Sequence, residues 1–140
     1  MAVPLAHHHK HGVVLPLAVS PTGGAFNITV HERAGCSSLL AANRSATTSW
    51  AKLCHNILET RRVESLSLRE AMRLAGSLPI RFLKVDAQGV DLSVMESARS
   101  RISQIERFQL EVIADDCDGL YTGQPKCSAA VARAAELGFA

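Results

Sequence analysis

IRFLKVDAQGVD, residues 80–91, is the stretch that decides the fold. Ile80, Phe82, Leu83 and Val85 make it nearly continuously apolar up to residue 85, with only Arg81 and Lys84 interrupting. A short apolar run of this kind suits a strand covered on both faces, as in a parallel sheet flanked by helices. It ends in Asp86-Ala87-Gln88-Gly89, which is turn chemistry. Beyond it, Leu92, Met95, Ala98 and Ile102 share one helical stripe and predict a helix over residues 91–102. Asp91 stands at its start, where a negative charge complements the helix dipole. FQLEVIA at 108–114 is the next strand. Strand, helix, strand within about 35 residues is a βαβ unit, and its crossover is right-handed.

Upstream, VVLPLAV at 13–19 reads as a strand that Pro16 demotes toward an edge. SPTGG at 20–24 is a turn signal, read as a hairpin turn at Gly23-Gly24 between that strand and AFNITVH at 25–31. Residues 32–49 read as loop. Trp50, Leu53, Cys54, Ile57 and Leu58 recur at helical spacing and predict an amphipathic helix, followed by a short extended piece at 63–66. Ser67-Leu68-Arg69-Glu70 is a capping box; its helix carries Leu68, Ala71, Met72 and Ala75 on one face and stops at Gly76. Downstream of the second strand come Asp115, Asp116 and Asp118, then the loop YTGQP. A last helix follows, with Ser128 as its cap, Val131, Ala134, Ala135 and Leu137 turned inward, and Gly138 as its stop. The expected organisation is a flexible tail over 1–12 and one α/β domain over 13–140, without internal repeats.

The chain has 140 residues, 47% hydrophobic and 20% charged, enough apolar content for one core and not a disordered composition. A net charge of +2 without a basic run does not imply nucleic acid, and 4% aromatics leave no stacking platform. No apolar run approaches the ~20 residues of a membrane span, and no signal peptide is visible, so a cytoplasmic location is favoured. Of the four cysteines, Cys36, Cys54, Cys117 and Cys127, none stands in a C-x-x-C pair. They are read as reduced thiols, with Cys117 and Cys127 able to pair in an oxidising compartment. His7, His8, His9 and His11 form a cluster that can hold a transition metal loosely, and are read as part of an exposed tail. The Asn-x-Ser/Thr triplets at Asn27 and Asn43 are read as chance matches.

In open parallel α/β sheets ligands bind beyond the carboxyl ends of strands. Two such ends carry acids here. The first has Asp86 at its tip, Lys84 two residues back on the same side, and Gln88 just beyond; the second has Glu111 followed by Asp115 and Asp116. Adjacent parallel strands bring the two acidic ends together. A carboxylate there can orient a cationic or hydroxyl-bearing ligand, act as a general base or hold a metal. It can also merely cap the next helix, and Glu111 can merely pair with Lys84.

LKVDAQGVDL at 83–92 resembles the Lys-Ile-Asp-Val-Glu/Gln-Gly-Ala-Glu motif of FkbM-type S-adenosylmethionine-dependent methyltransferases. LAVSPTGGAFNITV at 17–30, Cys36-Ser37-Ser38-Leu39, VESLSLREAM at 63–72, FQLEVI, LYTGQP and ELGF resemble further elements of that family in the same order. The resemblance spans residues 13–139. It implies a Rossmann-like class I methyltransferase sheet, mostly parallel, lacking the N-terminal cofactor-binding strands and the last strands. It also implies S-adenosylmethionine as cofactor and methyl transfer to a small-molecule or sugar hydroxyl. Asp86 and Lys84 would be catalytic, and Ala18, Val19 and Asp86 would meet the cofactor. Gln88, Asp91 and Glu111 would meet the acceptor, and no metal is implied. Asp91 stands where the family usually has Glu, and no strand with a glycine-rich turn precedes Val13. Cofactor binding by this chain alone is therefore expected to be weak or absent. A non-catalytic binding or scaffold module derived from such a domain is the alternative reading. A further one is an unrelated small α/β ligand-binding domain. Unpaired sheet edges would favour self-association.

Overall fold

The computed structural model describes residues 14–139. The tail expected over 1–12, its histidine cluster and Val13 lie outside the described residues. The elements are β1 (Ala18–Val19), β2 (Gly24–His31), α1 (Ser49–Leu53), β3 (Ile57–Leu66), α2 (Leu68–Leu74), β4 (Leu83–Val85), α3 (Asp91–Glu96), β5 (Phe108–Leu110) and α4 (Cys127–Glu136). Short 3-10 turns stand at Ala34–Cys36 and Arg99–Gln104.

The result is a mixed α/β structure with two small sheets. One has the order β1-β3-β2, with β1 parallel and β2 antiparallel to β3. The other pairs β4 with β5 in parallel, and α3 lies between them in the chain, so the expected βαβ unit is present. Its strands are shorter than the apolar runs that announced them. Ile80 and Ile113 lie outside the named strands and form isolated bridges, Ile80 with Ile105 and Ile113 with Lys126.

Several local expectations are corrected. Gly23-Gly24 is not a hairpin turn: β1 and β2 do not pair, and β3 lies between them. Within 14–19 only Ala18 and Val19 are strand. The helix expected from Trp50 to Leu58 ends at Leu53, and Ile57 and Leu58 open a ten-residue strand that pairs along β2. The stripe imitated a helix because its second half is the start of a strand. Trp50, Leu53, Ile57 and Leu58 are all exposed, so the stripe is not a core face. The helix expected over 91–102 stops at Glu96, and Arg99, at a left-handed φ of 52°, opens the 3-10 turn that follows. Ser128 does not cap α4. Lys126 holds that position without a side-chain bond, and the Asp115 carboxylate accepts from the Ser128 N–H and O–H. On α4, Ala134 is buried, but Val131 and Ala135 are exposed.

The capping box stands as read: the Ser67 hydroxyl accepts from the Glu70 N–H, and the Glu70 carboxylate accepts from the Ser67 N–H. Such a cap stabilises a short helix by about 1 kcal/mol. The core consists of three apolar clusters around β4: Leu68 with Met72, Ala98 and Ile105; Val85 with Val90 and Val94; and Leu92 with Met95 and Ala130. Leu83 packs against all three, which makes β4 the centre of the molecule.

The cysteine reading is overturned. Cys36 and Cys54 form a disulfide that ties the first 3-10 turn to the end of α1, while Cys117 and Cys127 are free. Both bonded residues are fully buried.

Candidate functional site

β4 and β5 run side by side with Leu83 opposite Phe108, Lys84 opposite Gln109 and Val85 opposite Leu110. Asp86 and Glu111 therefore leave their strands at the same level, as the sequence predicts. Loss of solvent pushes the Glu111 carboxyl above its usual range, and the negative charges of Asp86 and Asp91 push it further. Lys84 pulls the other way. Its ammonium stands 3.5 Å from Asp86 Oδ2, and both side chains are about half exposed. A pair that open contributes at most about 1 kcal/mol, so Lys84 stays free to meet another anion.

Asp91 has a different position from the one expected of an acceptor ligand. It is 1% exposed. Its Oδ1 accepts from the N–H of Ala87 and of Glu111, at 3.3 and 3.2 Å, and its Oδ2 accepts from Gly89 N–H at 3.1 Å. One carboxylate thus staples the turn after β4 to the end of β5. Hydrogen bonds of this charge-assisted kind are about twice as strong as neutral ones. Asp91 sets the spacing of Asp86 and Glu111 from below.

Gln88 fixes Asp86 from the side. Its Nε2 donates to Asp86 Oδ1 at 2.8 Å, its Oε1 accepts from the Tyr121 hydroxyl at 3.0 Å, and its carbonyl accepts from the Ser38 hydroxyl at 2.6 Å. These three bonds hold Gln88 at φ 50°, a left-handed backbone that costs a non-glycine residue about 1 kcal/mol. Gly89 follows at φ 100°, and a Cβ there would lie 2.9 Å from the Tyr121 ring. Only glycine lets the turn close against the tyrosine.

Tyr121 is buried, and its hydroxyl is pushed up to about 12, first by burial and then by Glu111, Asp91 and Asp86. It therefore remains a donor, and it also reaches the Gly35 carbonyl at 3.4 Å. Gly35 adjoins Cys36, so the disulfide backs this wall of the site. Tyr121 and Ser38 are the residues that sequence reasoning missed as parts of this site. Each meets the turn across dozens of intervening residues, and the only hint was that YTGQP holds the chain's single tyrosine.

Two concavities meet at Asp86. The larger, about 410 Å³, has Ala18 and Val19 at one side, Phe26, Ile28 and Leu39 as apolar wall, and Lys84, Asp86 and Gln88 at its polar side. The second, about 380 Å³, is lined by Lys84, Asp86 and Glu111 among others. Lys84, Val85 and Asp86 line both. The structure thus joins Ala18, Val19, Lys84, Asp86 and Gln88 around one space and puts Glu111 on the other side of Asp86. Asp91 lines neither.

Among the described residues no group of three or more His, Cys, Asp or Glu is placed to hold a metal ion, and no helix is long and apolar enough to cross a membrane. No protein-family model, curated protein or solved structure matches the chain.

Proposed function

We propose that this chain is a Rossmann-like methyltransferase-type domain of the FkbM kind, in which the larger concavity takes S-adenosylmethionine and the smaller takes a hydroxyl-bearing small molecule. The observation that carries this reading is the position of Asp86 between two adjoining spaces of ligand size. The donor set fits the cofactor in part. Phe26, Ile28 and Leu39 offer an apolar wall for an adenine ring, Asp86 offers a negative charge to a sulfonium, and Lys84 offers a cation to a carboxylate. Among the described residues Asp86 is the only acid lining that space, so none of the others there serves a ribose diol as a carboxylate would. When bound, the cofactor supplies an electrophilic methyl group.

The chain's own residues supply alignment and proton handling. Gln88 and Asp91 hold the strand tips at a fixed separation, which is the main demand of a transfer between two bound molecules. Glu111, with its raised proton affinity and its place on the acceptor side, is suited to take the proton of an attacking hydroxyl.

Equilibrium dialysis of the intact chain against labelled S-adenosylmethionine tests the reading. Weak saturable binding is expected, abolished by Val19→Trp, which fills the apolar side. In a transfer assay over a panel of hydroxyl acceptors, Asp86→Ala should reduce turnover sharply with the fold intact. Absence of saturable binding at millimolar cofactor overturns the enzyme reading. A non-catalytic module would then stand, which the single acid in the larger space already favours. The Cys36–Cys54 bond favours an oxidising compartment over the cytoplasmic one expected from the sequence. The edges of the β4–β5 pair make self-association a further expectation, read by sizing.

A further inference from the structure

A third concavity, about 320 Å³, shares no residue with the two that meet at Asp86. Four arginines line it: Arg69 and Arg73 from α2, and Arg99 and Arg101 from the second 3-10 turn. Arg69 and Arg73 are one helical turn apart and so lie on one face of α2. Arg99 is held at φ 52°, where the chain turns from α3 into the 3-10 segment. Among the described residues none of the four has a carboxylate within 4.0 Å; Arg101 meets only the Gln104 amide oxygen, at 3.5 Å.

Among the described residues Glu70 is the one acid in the lining, and it is committed elsewhere. Its Oε2 accepts from the Ser67 N–H and O–H, at 2.7 and 2.8 Å. Those donors hold its carboxyl below the usual range, and Arg73 and Arg69 add to the effect. The rim is rigid. Gly23 N–H donates to the Ser20 hydroxyl, which also bonds the Ser65 hydroxyl. A Cβ at Gly23 would stand 2.7 Å from the Glu70 carboxylate, so the 20–23 turn is pressed against the cap.

Four guanidinium groups gathered around one concavity repel each other unless an anion joins them. Their planar forks match phosphate oxygens two at a time. Arginines that line a concavity rather than a flat face suit a compact anion. We propose that this pocket binds the phosphate or pyrophosphate group of a soluble small molecule, independently of the space beside Asp86. The Thr22 hydroxyl adds a further polar group to this lining.

Titration calorimetry with sodium pyrophosphate at low ionic strength, on the whole chain, tests this. One saturable site is expected. The double variant Arg73→Gln/Arg99→Asn should weaken it at least tenfold, Asn being chosen because it tolerates the left-handed backbone at 99. Arg69→Gln/Arg101→Gln should do the same, with circular dichroism unchanged. Arg62→Gln/Arg107→Gln, at exposed arginines outside the pocket, should leave the affinity within twofold. Equal losses in all three variants, unchanged affinity in the first two, or no saturable binding by the wild type would each overturn the proposal. So would sedimentation with phosphatidic acid vesicles in a chain that ignores pyrophosphate.

Discussion

The two sheets are held together by different means. Around β4 and β5 three apolar clusters close on Leu83, and the polar end is tied by a single buried carboxylate, Asp91. The β1-β3-β2 sheet has little of this. β3 is exposed along most of its length, and its outward residues include Glu59, Arg61 and Arg62. What anchors that side is a disulfide and hydroxyl pairs such as Ser20 with Ser65. Where apolar burial is plentiful, hydrogen bonds from a few side chains fix a turn. Where it is scarce, a covalent bond takes over.

The sharpest way to break this contrast is to remove Asp91. Asp91→Ala leaves three backbone N–H groups without acceptors at the edge of the core, which should cost on the order of 4 kcal/mol. Asp91→Asn keeps one acceptor oxygen and should cost less. Urea denaturation followed by circular dichroism measures both, and a loss below about 1 kcal/mol for Asp91→Ala would mean that the apolar clusters hold the strand tips unaided. Next in size comes Cys36→Ser/Cys54→Ser. The bond closes a loop with a sequence separation of 18, so its loss should cost about 3 kcal/mol by loop entropy. Hydrogen exchange should rise along β2 and β3 more than along β4 and β5. Uniform loosening would mean that the two sheets do not differ in the way described.

The same contrast explains what was legible in the sequence. β4, the cap at Ser67 and the stop after α2 depend on neighbours in the chain, such as an apolar run ending in a polar turn, or Ser67 with Glu70. The pairing of Asp86 with Glu111 followed from two parallel strands, and it is found. Of β3 only 63–66 was read as extended; its first part was missed because exposure on both faces erases the alternation of apolar and polar residues, and Ile57 and Leu58 instead fell on a helical stripe with Trp50 and Leu53. The Cys36–Cys54 pairing and the bond from Tyr121 to Gln88 join distant parts of the chain, and spacing alone does not encode them. Asp91 was placed correctly at the start of its helix. That its carboxylate turns inward to three N–H groups depends on how β5 lies, which no local pattern states.

The histidine on β2 offers a gentler test. Burial lowers the His31 imidazole below its ordinary 6.5, Arg44 and His55 lower it further, and the backbone of Cys54 and Asn56 opposes the shift. The unfolded chain therefore takes up a proton near pH 6.5 that the folded chain still refuses, and the unfolded state gains as pH falls through that value. Stability should be full above the unfolded value and decline below it, levelling only beneath the folded value. Thermal melts from pH 7.5 downward would show this, and His31→Phe should flatten the decline. An equal decline in the variant would assign it to other groups.

The smallest effect is expected at Glu111, with the opposite sign. Its carboxyl binds a proton more tightly in the folded chain than in the unfolded one. Between the unfolded value near 4.5 and the raised folded value the folded state holds more protons, so stability falls as pH rises through that window and stays lower above it. Glu111→Gln, which keeps the shape and removes the charge, should therefore raise the melting temperature slightly at pH 7 and leave it unchanged at pH 3.5. The exposed position of Glu111 keeps the gain small, because solvent screens its repulsion from Asp86. Asp86→Asn should give a gain of the same sign by relieving the same repulsion, and the double variant should gain less than the two singles together, since either change alone ends the contact between charges. Additive gains would mean that the two carboxylates do not face one another. A fall in stability on either substitution would place Glu111 and Asp86 with Asp91, as parts of the frame.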